Sequence, residues 1–427
     1  MPIYARFHQH RVLAIAGWKV ENLDRAYFQF VQKHSGFLAF GVLLTATAGF
    51  GNSFFIGLFG DHLRHAFAIS HGEFGLLFMG ASVVCGLSLP LIGKYIDHVA
   101  LSVYAASACL VLAAGAILLA LSTNAAVLLV ALFLIRLGGP GMLNHAAVTS
   151  MGYYFTRHRG RAVGITLLGQ PISEAGLPAF AVASIAVIGW RETWFVAAGA
   201  VVLLCLPAAI GLLKNRTDTR RGQFLVDVDE PVPSPPKSWS RRQVLKDWRF
   251  YVVSLMLILN TTTISGLFFH QAHIAAAKNW SLAWVASCFV GYAAAKVVAI
   301  MTTGPLIDRF GSPKALPLFL LPMGVGLLSL AALEAPVMAL LYFVGTGLSA
   351  GAGFTLHGTI WAELYGTDNL GAIRSLARSI TFSTSAISPA VFGVLFDYGV
   401  TIPTIVIALA GCIFATCVLA ATVEIRQ

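Results

Sequence analysis

The chain has 427 residues, of which 57% are hydrophobic and only 11% charged, whereas soluble domains carry about a quarter charged residues. Its apolar residues fall in blocks of about 20, the length a helix needs to cross about 30 Å of hydrocarbon, without the strict alternation of a membrane β-barrel. A soluble domain is excluded, and the composition predicts an all-α polytopic membrane protein.

Residues 1–35 are too long and too mixed in character for a signal peptide. They are expected to form a cytoplasmic N-terminal segment, either as a loosely amphipathic surface helix or as disordered chain. Twelve spans follow, at 36–59, 73–93, 99–121, 125–153, 160–187, 190–213, 249–277, 281–303, 313–333, 335–361, 370–396 and 400–423. The longest break, 214–248, contains Pro231-Val-Pro-Ser-Pro-Pro236 and many charges. It reads as a cytoplasmic linker between a six-helix bundle at 36–213 and a second at 249–423, with a short tail at 424–427. The end of that linker, from Arg241 to Arg249 with Trp248 and Phe250, reads as an interfacial lead-in to the seventh span.

With the N-terminus placed inside, the cytoplasmic segments hold 23 of the 28 Lys and Arg residues. The outer loops hold Arg64, Arg191 and Lys278, and the spans hold Arg136 and Lys296. Basic residues accumulate on the cytoplasmic side, so both termini are expected there. The net charge of +10 is then a mark of membrane orientation, and no nucleic-acid partner is expected. All six cysteines lie inside apolar blocks without metal-ligand or disulfide spacing, as small core residues do.

An ungapped shift of 211 residues superposes the two halves. Gly80 falls on Gly291, Gly93 on Gly304, Asp97 on Asp308, Tyr154 on Tyr365, Gly160 on Gly371 and Pro178 on Pro389. These residues sit at loop edges and helix breaks, where backbone geometry is selective. Parallel repeats of this kind place a binding site between the halves.

Three ionisable residues fall deep inside spans, where charge is costly and usually functional. Arg136 and Glu174 flank the basic turn Arg157-His158-Arg159-Gly160-Arg161, and their depths differ by roughly 6 Å at 1.5 Å per residue. They are therefore expected either to form a structural ion pair or to divide anion binding (Arg136) from proton coupling (Glu174), because a buried carboxylate beside a cation can titrate as its cavity opens. Lys296, midway along the eighth span, is too deep to snorkel to either surface and is a candidate anion ligand. Asn52, Asn144 and Asn260 are amides in spans one, four and seven and could be substrate contacts or helix–helix glue. His270 and His357 are candidate polar wall residues, with His145 and His273 nearby. His270-Gln-Ala-His273 has no carboxylate or cysteine companion, so no metal is expected. No Walker loop, Gly-x-Ser-x-Gly or His-Glu-x-x-His motif occurs, so neither a cofactor nor an enzymatic activity is expected.

Gly93-Lys-Tyr-Ile-Asp97-His98 after the second span, and Gly304-Pro-Leu-Ile-Asp308-Arg309-Phe-Gly311-Ser-Pro-Lys314 after the eighth, resemble the loop signature of the major facilitator superfamily. The first copy departs from it, with His98 in place of Arg. Gly93, Asp97, Gly304, Asp308, Arg309 and Gly311 are accordingly expected gating residues, each Asp sitting near a helix N-terminus. Arg136-Leu-Gly-Gly-Pro-Gly141 and the stretch from Gly169 to Pro178 are similar to further motifs of the superfamily. The connection from Tyr153 to Gly160 and the segment Asp247-Trp-Arg-Phe-Tyr251 look like the monocarboxylate and oxalate/formate-antiporter branch. The resemblance implies twelve helices in two pseudo-symmetric bundles, with spans one, four, seven and ten lining a central path. It also implies alternating access, a small monocarboxylate-like anion as substrate, often moved with a proton, and a monomer in a bacterial inner membrane. The alternatives are a drug or metabolite efflux pump of the same superfamily and, in another class, a non-transporting membrane sensor.

Overall fold

A computed structural model describes residues 29–155, 159–213, 239–332, 334–366 and 369–422. Among them the chain is helical and contains no strand. In chain order the main helices are α1 (Gln29–Gly51), α2 (His71–Asp97), α3 (Leu101–Leu121), α4 (Ala125–Tyr154), α5 (Arg161–Ile188), α6 (Trp190–Leu213), α7 (Trp248–Phe269), α8 (Leu282–Ile307), α9 (Leu321–Ala332), α10 (Pro336–Tyr365), α11 (Leu376–Asp397) and α12 (Ile402–Thr422). All but α9 are long and apolar enough to cross a membrane. The expected segment 1–35 lies outside the described residues up to position 28, as do 214–238 of the linker and the tail from 423.

Two spans differ from the sequence reading. The ninth, expected at 313–333, is regular helix only over Leu321–Ala332, after a four-residue helix and a run of turns. Pro317 and Pro322 lack the N–H that a continuous helix needs, and Pro322 is accommodated in a new first turn. The first span begins early, at Gln29, and does not run unbroken to residue 59. It tightens to a 3-10 turn at Ala48–Gly51, becomes extended at Asn52, and continues as short helices up to Gly60–Phe67. At this break the first span packs closely on α4, where a Cβ on Gly51 would stand 2.5 Å from Pro140 Cδ.

The near face of the molecule is the one at which α1 starts and α12 ends. The halves meet chiefly along two seams, α2 against α11 and α5 against α8. The shift of 211 residues carries α2 onto α8 and α5 onto α11, so the seams are symmetry-related. On the far face the α2–α11 seam closes tightly. A Cβ on Gly75 would meet the Pro389 carbonyl at 2.5 Å, and one on Gly393 would overlap the carbonyl oxygen of His71. Only glycine lets the two backbones approach so closely, as small residues do between membrane helices. Aromatic contacts add to this seal: Phe74 and Phe78 of α2 each lie 4.6 Å from Phe269 of α7, centroid to centroid.

Candidate functional site

The buried charges meet across the α5–α8 seam, halfway through the molecule. Lys296 Nζ donates to both carboxylate oxygens of Glu174, each at 2.8 Å. The two residues are only 7% and 9% exposed, so each ion is the principal compensation for the other's lost hydration. Local sequence explains the aim of the lysine. Gly347 and Gly351, one turn apart on α10, leave room for α10 to press on the backbone carbonyls of Tyr292 and Lys296. With α8 held from behind by α10, the Lys296 side chain crosses the seam to α5. The Tyr292 ring, one turn before Lys296, lies 5.6 Å from Nζ and gives the ammonium a cation–π neighbour. The ion pair considered between Arg136 and Glu174 is not formed; Lys296 is the partner of Glu174.

Arg136 occupies a separate pocket in the first half. Because α1 breaks at residues 48–52, the Gly51 carbonyl is available to accept Arg136 Nη1 at 3.0 Å. The guanidinium carbon lies 4.9 Å from the centre of the Phe78 ring, and Nε has no hydrogen-bond partner among the described residues. Leu137–Leu143, directly after the arginine, is wound as a π-helix containing Pro140. A widened turn of this kind often accompanies a functional residue. Arg136 is thus a buried cation with a carbonyl and a ring beside it and unused donor capacity.

The other candidates are dispersed. Asn52 sits at the break in α1. Asn144 follows the π-turn, and its Oδ1 has no partner among the described residues. Asn260 is buried on α7 against Gly353 of α10, its Oδ1 likewise unpartnered. His357 is half-buried on α10, within electrostatic reach of Arg374, just before α11, and of Arg378 in its first turn. His270 belongs elsewhere: it lies at the far-face end of α7, where Nε2 donates to the Pro389 carbonyl at 2.8 Å.

The near-face loops hold the expected gating residues. Gly93 is close-packed, its carbonyl 3.3 Å from His145 Nε2. Asp97 accepts the Tyr153 hydroxyl at 2.9 Å. In the second copy Gly304 has open space around it and Gly311 adopts φ +83. Arg309 is exposed over Phe310, and the Asp308 side chain lies outside the described residues. Among the described side chains, a carboxylate that holds this second loop is Glu363 of α10, which accepts Ser312 N at 2.8 Å and Ser312 Oγ at 2.6 Å. Sequence reasoning missed Glu363, Tyr292 and Arg378. Of these only Tyr292 carried a signal, its spacing of four residues from Lys296, which puts both on one helix face.

Two repeated helical bundles that meet along symmetry-related seams, with an ion pair buried across one of them, define the class of membrane transporters built from paired halves. The family model described as Major Facilitator Superfamily matches residues 41–271, more than half of the chain, and the chain belongs to that superfamily. It is a transporter and not an enzyme. Among solved structures, a bacterial homologue of the human lysosomal transporter Spinster, inward-facing and occupied, is similar with a TM-score of 0.66 and 15% identity, over 89% of this chain and 93% of that one. The nucleoside transporter NupG is similar with a TM-score of 0.64 and 12% identity, over 91% and 98% of the respective chains. At these identities the likeness is one of fold. No curated protein sequence matches the chain.

Proposed function

We propose that the chain is a secondary transporter for a small organic anion of the monocarboxylate kind, coupled to a proton and working by alternating access. The observation that carries this reading is the Lys296–Glu174 pair, buried mid-molecule with one ion on each half. Parting the halves along the α5–α8 seam separates these charges, and bare charges at that depth are costly. A proton on Glu174 and a substrate carboxylate on Lys296 would relieve both costs at once. The substrate takes the place of Glu174 beside the ammonium, and the protonated Glu174 needs no cation. Loading anion and proton together therefore permits the movement that an unloaded pair resists, which is the basis of coupling.

Arg136 is the second cation of the reading, and its unpartnered Nε is the group left to receive an anion. Asn52, Asn144, Asn260 and His357 are the further polar groups that the reading assigns to the substrate path. The near-face loops of Gly93, Asp97, Gly304, Asp308, Arg309 and Gly311 act as gating elements. A monomer in a bacterial inner membrane with both termini cytoplasmic completes the proposal, supported by the distribution of Lys and Arg.

The test is uptake of labelled lactate into proteoliposomes under an imposed pH gradient. Lys296→Gln and Arg136→Gln should each abolish uptake in folded protein, and Glu174→Gln should retain exchange but lose its response to the gradient. Uptake at the wild-type rate by Lys296→Gln would overturn the proposal.

A further inference from the structure

The far-face seal holds a second group of titratable side chains that takes no part in the mid-molecule site. Asp397, the last residue of α11, accepts Ser70 Oγ at 2.7 Å, His71 N at 3.0 Å and Gly72 N at 2.7 Å. A carboxylate from one half thus satisfies the free N–H groups at the start of α2 in the other half, where negative charge is favoured. Around that cap three imidazoles meet. The His71 ring lies 4.2 Å from that of His273 and 5.8 Å from that of His270. All three pack on Phe396, at 5.8, 4.7 and 5.2 Å for His71, His273 and His270.

We propose that His71, His270 and His273 form a proton-operated clasp, which holds the far face shut while the rings are neutral and releases it when they are protonated. The proposal goes beyond the transport reading and does not depend on the substrate. Neutral rings pack edge to face, whereas two imidazolium ions 4.2 Å apart repel across the boundary between the halves. The charged groups facing the cluster offer little to absorb a proton's charge. On the short helix Gly60–Phe67, Arg64 adds like charge, and Asp61 is paired with it at 2.6 Å. On α11, Asp397 already accepts three hydrogen bonds. On α2, Glu73 accepts Ser70 N at 2.8 Å in the capping box.

The two histidines beyond the end of α7 show the expected bias. Burial, opposed by the bond to Pro389, holds His270 down at about 3. Burial and then Arg64 hold His273 below the ordinary imidazole value, with Asp61 opposing. A group with a lowered pKa in the sealed state and an ordinary one near 6.5 once released stabilises the seal above pH 6.5 and loses that effect as pH falls toward the sealed-state value. Acid at the far face, which the charge bias assigns to the outside, therefore favours the outward-open form.

The experiment measures distances between spin labels at Thr123→Cys and Thr401→Cys, on far-face loops of the two halves. It uses full-length protein in lipid nanodiscs with the native cysteines replaced, between pH 7.5 and 4.5. The ratio of long to short distances should rise about tenfold or more across this range. His71→Phe and His273→Phe combined with His270→Gln, which keeps a donor for the Pro389 carbonyl, removes all three titrating rings and should abolish the rise while the short distance persists. Three results would each overturn the proposal: no pH response in the parent protein, an undiminished response in the triple variant, or loss of the response in Asp397→Asn with the triple variant still responding.

Discussion

Breaking the Lys296–Glu174 pair from one side should cost more stability than removing it altogether. At a separation of 2.8 Å and an effective dielectric constant of about 20, the attraction is about 6 kcal/mol. Desolvating the two ions opposes it by several kcal/mol each. The net value of the pair is therefore small, but either ion left alone keeps its desolvation cost without its partner. Lys296→Met or Glu174→Gln should each destabilise the protein by about 3–5 kcal/mol. The double variant, with no buried charge at the seam, should recover most of that loss.

The assay is a double-mutant cycle on protein unfolded from mixed micelles, followed by tryptophan fluorescence, with a coupling energy of at least about 2 kcal/mol expected. Additive losses would refute the reasoning, because they would mean that water or another residue compensates each ion separately. The same variants also separate stability from function. A structural pair predicts that the double variant regains uptake along with stability. The proposed mechanism predicts that it regains stability alone.

Other consequences follow from the packing around the pair and from the orientation. Gly351→Ala places a methyl group against the Lys296 carbonyl, and should cost about 1–3 kcal/mol by overpacking and depress uptake, read by thermal denaturation and by transport. Gly311→Ala forces a side chain into φ +83, ψ 152, a region essentially reserved for glycine, and should cost about 1–3 kcal/mol; an unchanged denaturation midpoint would refute that. Ser234→Cys in the linker should be shielded from an impermeant thiol reagent in intact cells and react after permeabilisation. Labelling in intact cells would reverse the assigned orientation.

Depth was legible in the sequence, but direction around each helix was not. Lys296 lies fourteen residues into α8 from the far face, and Glu174 fourteen residues from the far-face end of α5. Both are thus about 21 Å from that face. Arg136 is eleven residues from the start of α4, about 16 Å down, so all three charges belong to one layer. Choosing between Arg136 and Lys296 as the partner of Glu174 requires the face each residue occupies, and spans that are apolar all round carry no such mark. The repeat did hold the missing fact, since the relation that pairs α2 with α11 also pairs α5 with α8. His71, Asp397 and the two histidines after α7 meet only because α2 and α11 close at their far ends. Nothing local in those segments announces that contact.

The repeat also separates framework from working parts. Under the shift of 211 residues Lys296 corresponds to Cys85 and Glu174 to Ser385, so the α2–α11 seam has small, uncharged residues where the α5–α8 seam has its ion pair. Arg136 corresponds to Gly347, the residue whose missing side chain lets α10 press on the backbone of α8 near Lys296. Within the first half, α4 packs on α2 at Cys85, the counterpart of Lys296, where a Cβ on Gly141 would stand 3.3 Å from its Sγ. Each half thus carries one cation on the equivalent pair of helices, on the fourth helix in the first half and on the second helix in the other. Architecture alone does not call for that exchange, because the shared glycines, prolines and loop aspartates already repeat. The proposed anion held between the halves would call for it, since it would meet positive charge on both sides while the α5–α8 seam supplies Glu174 as the mid-depth carboxylate to yield.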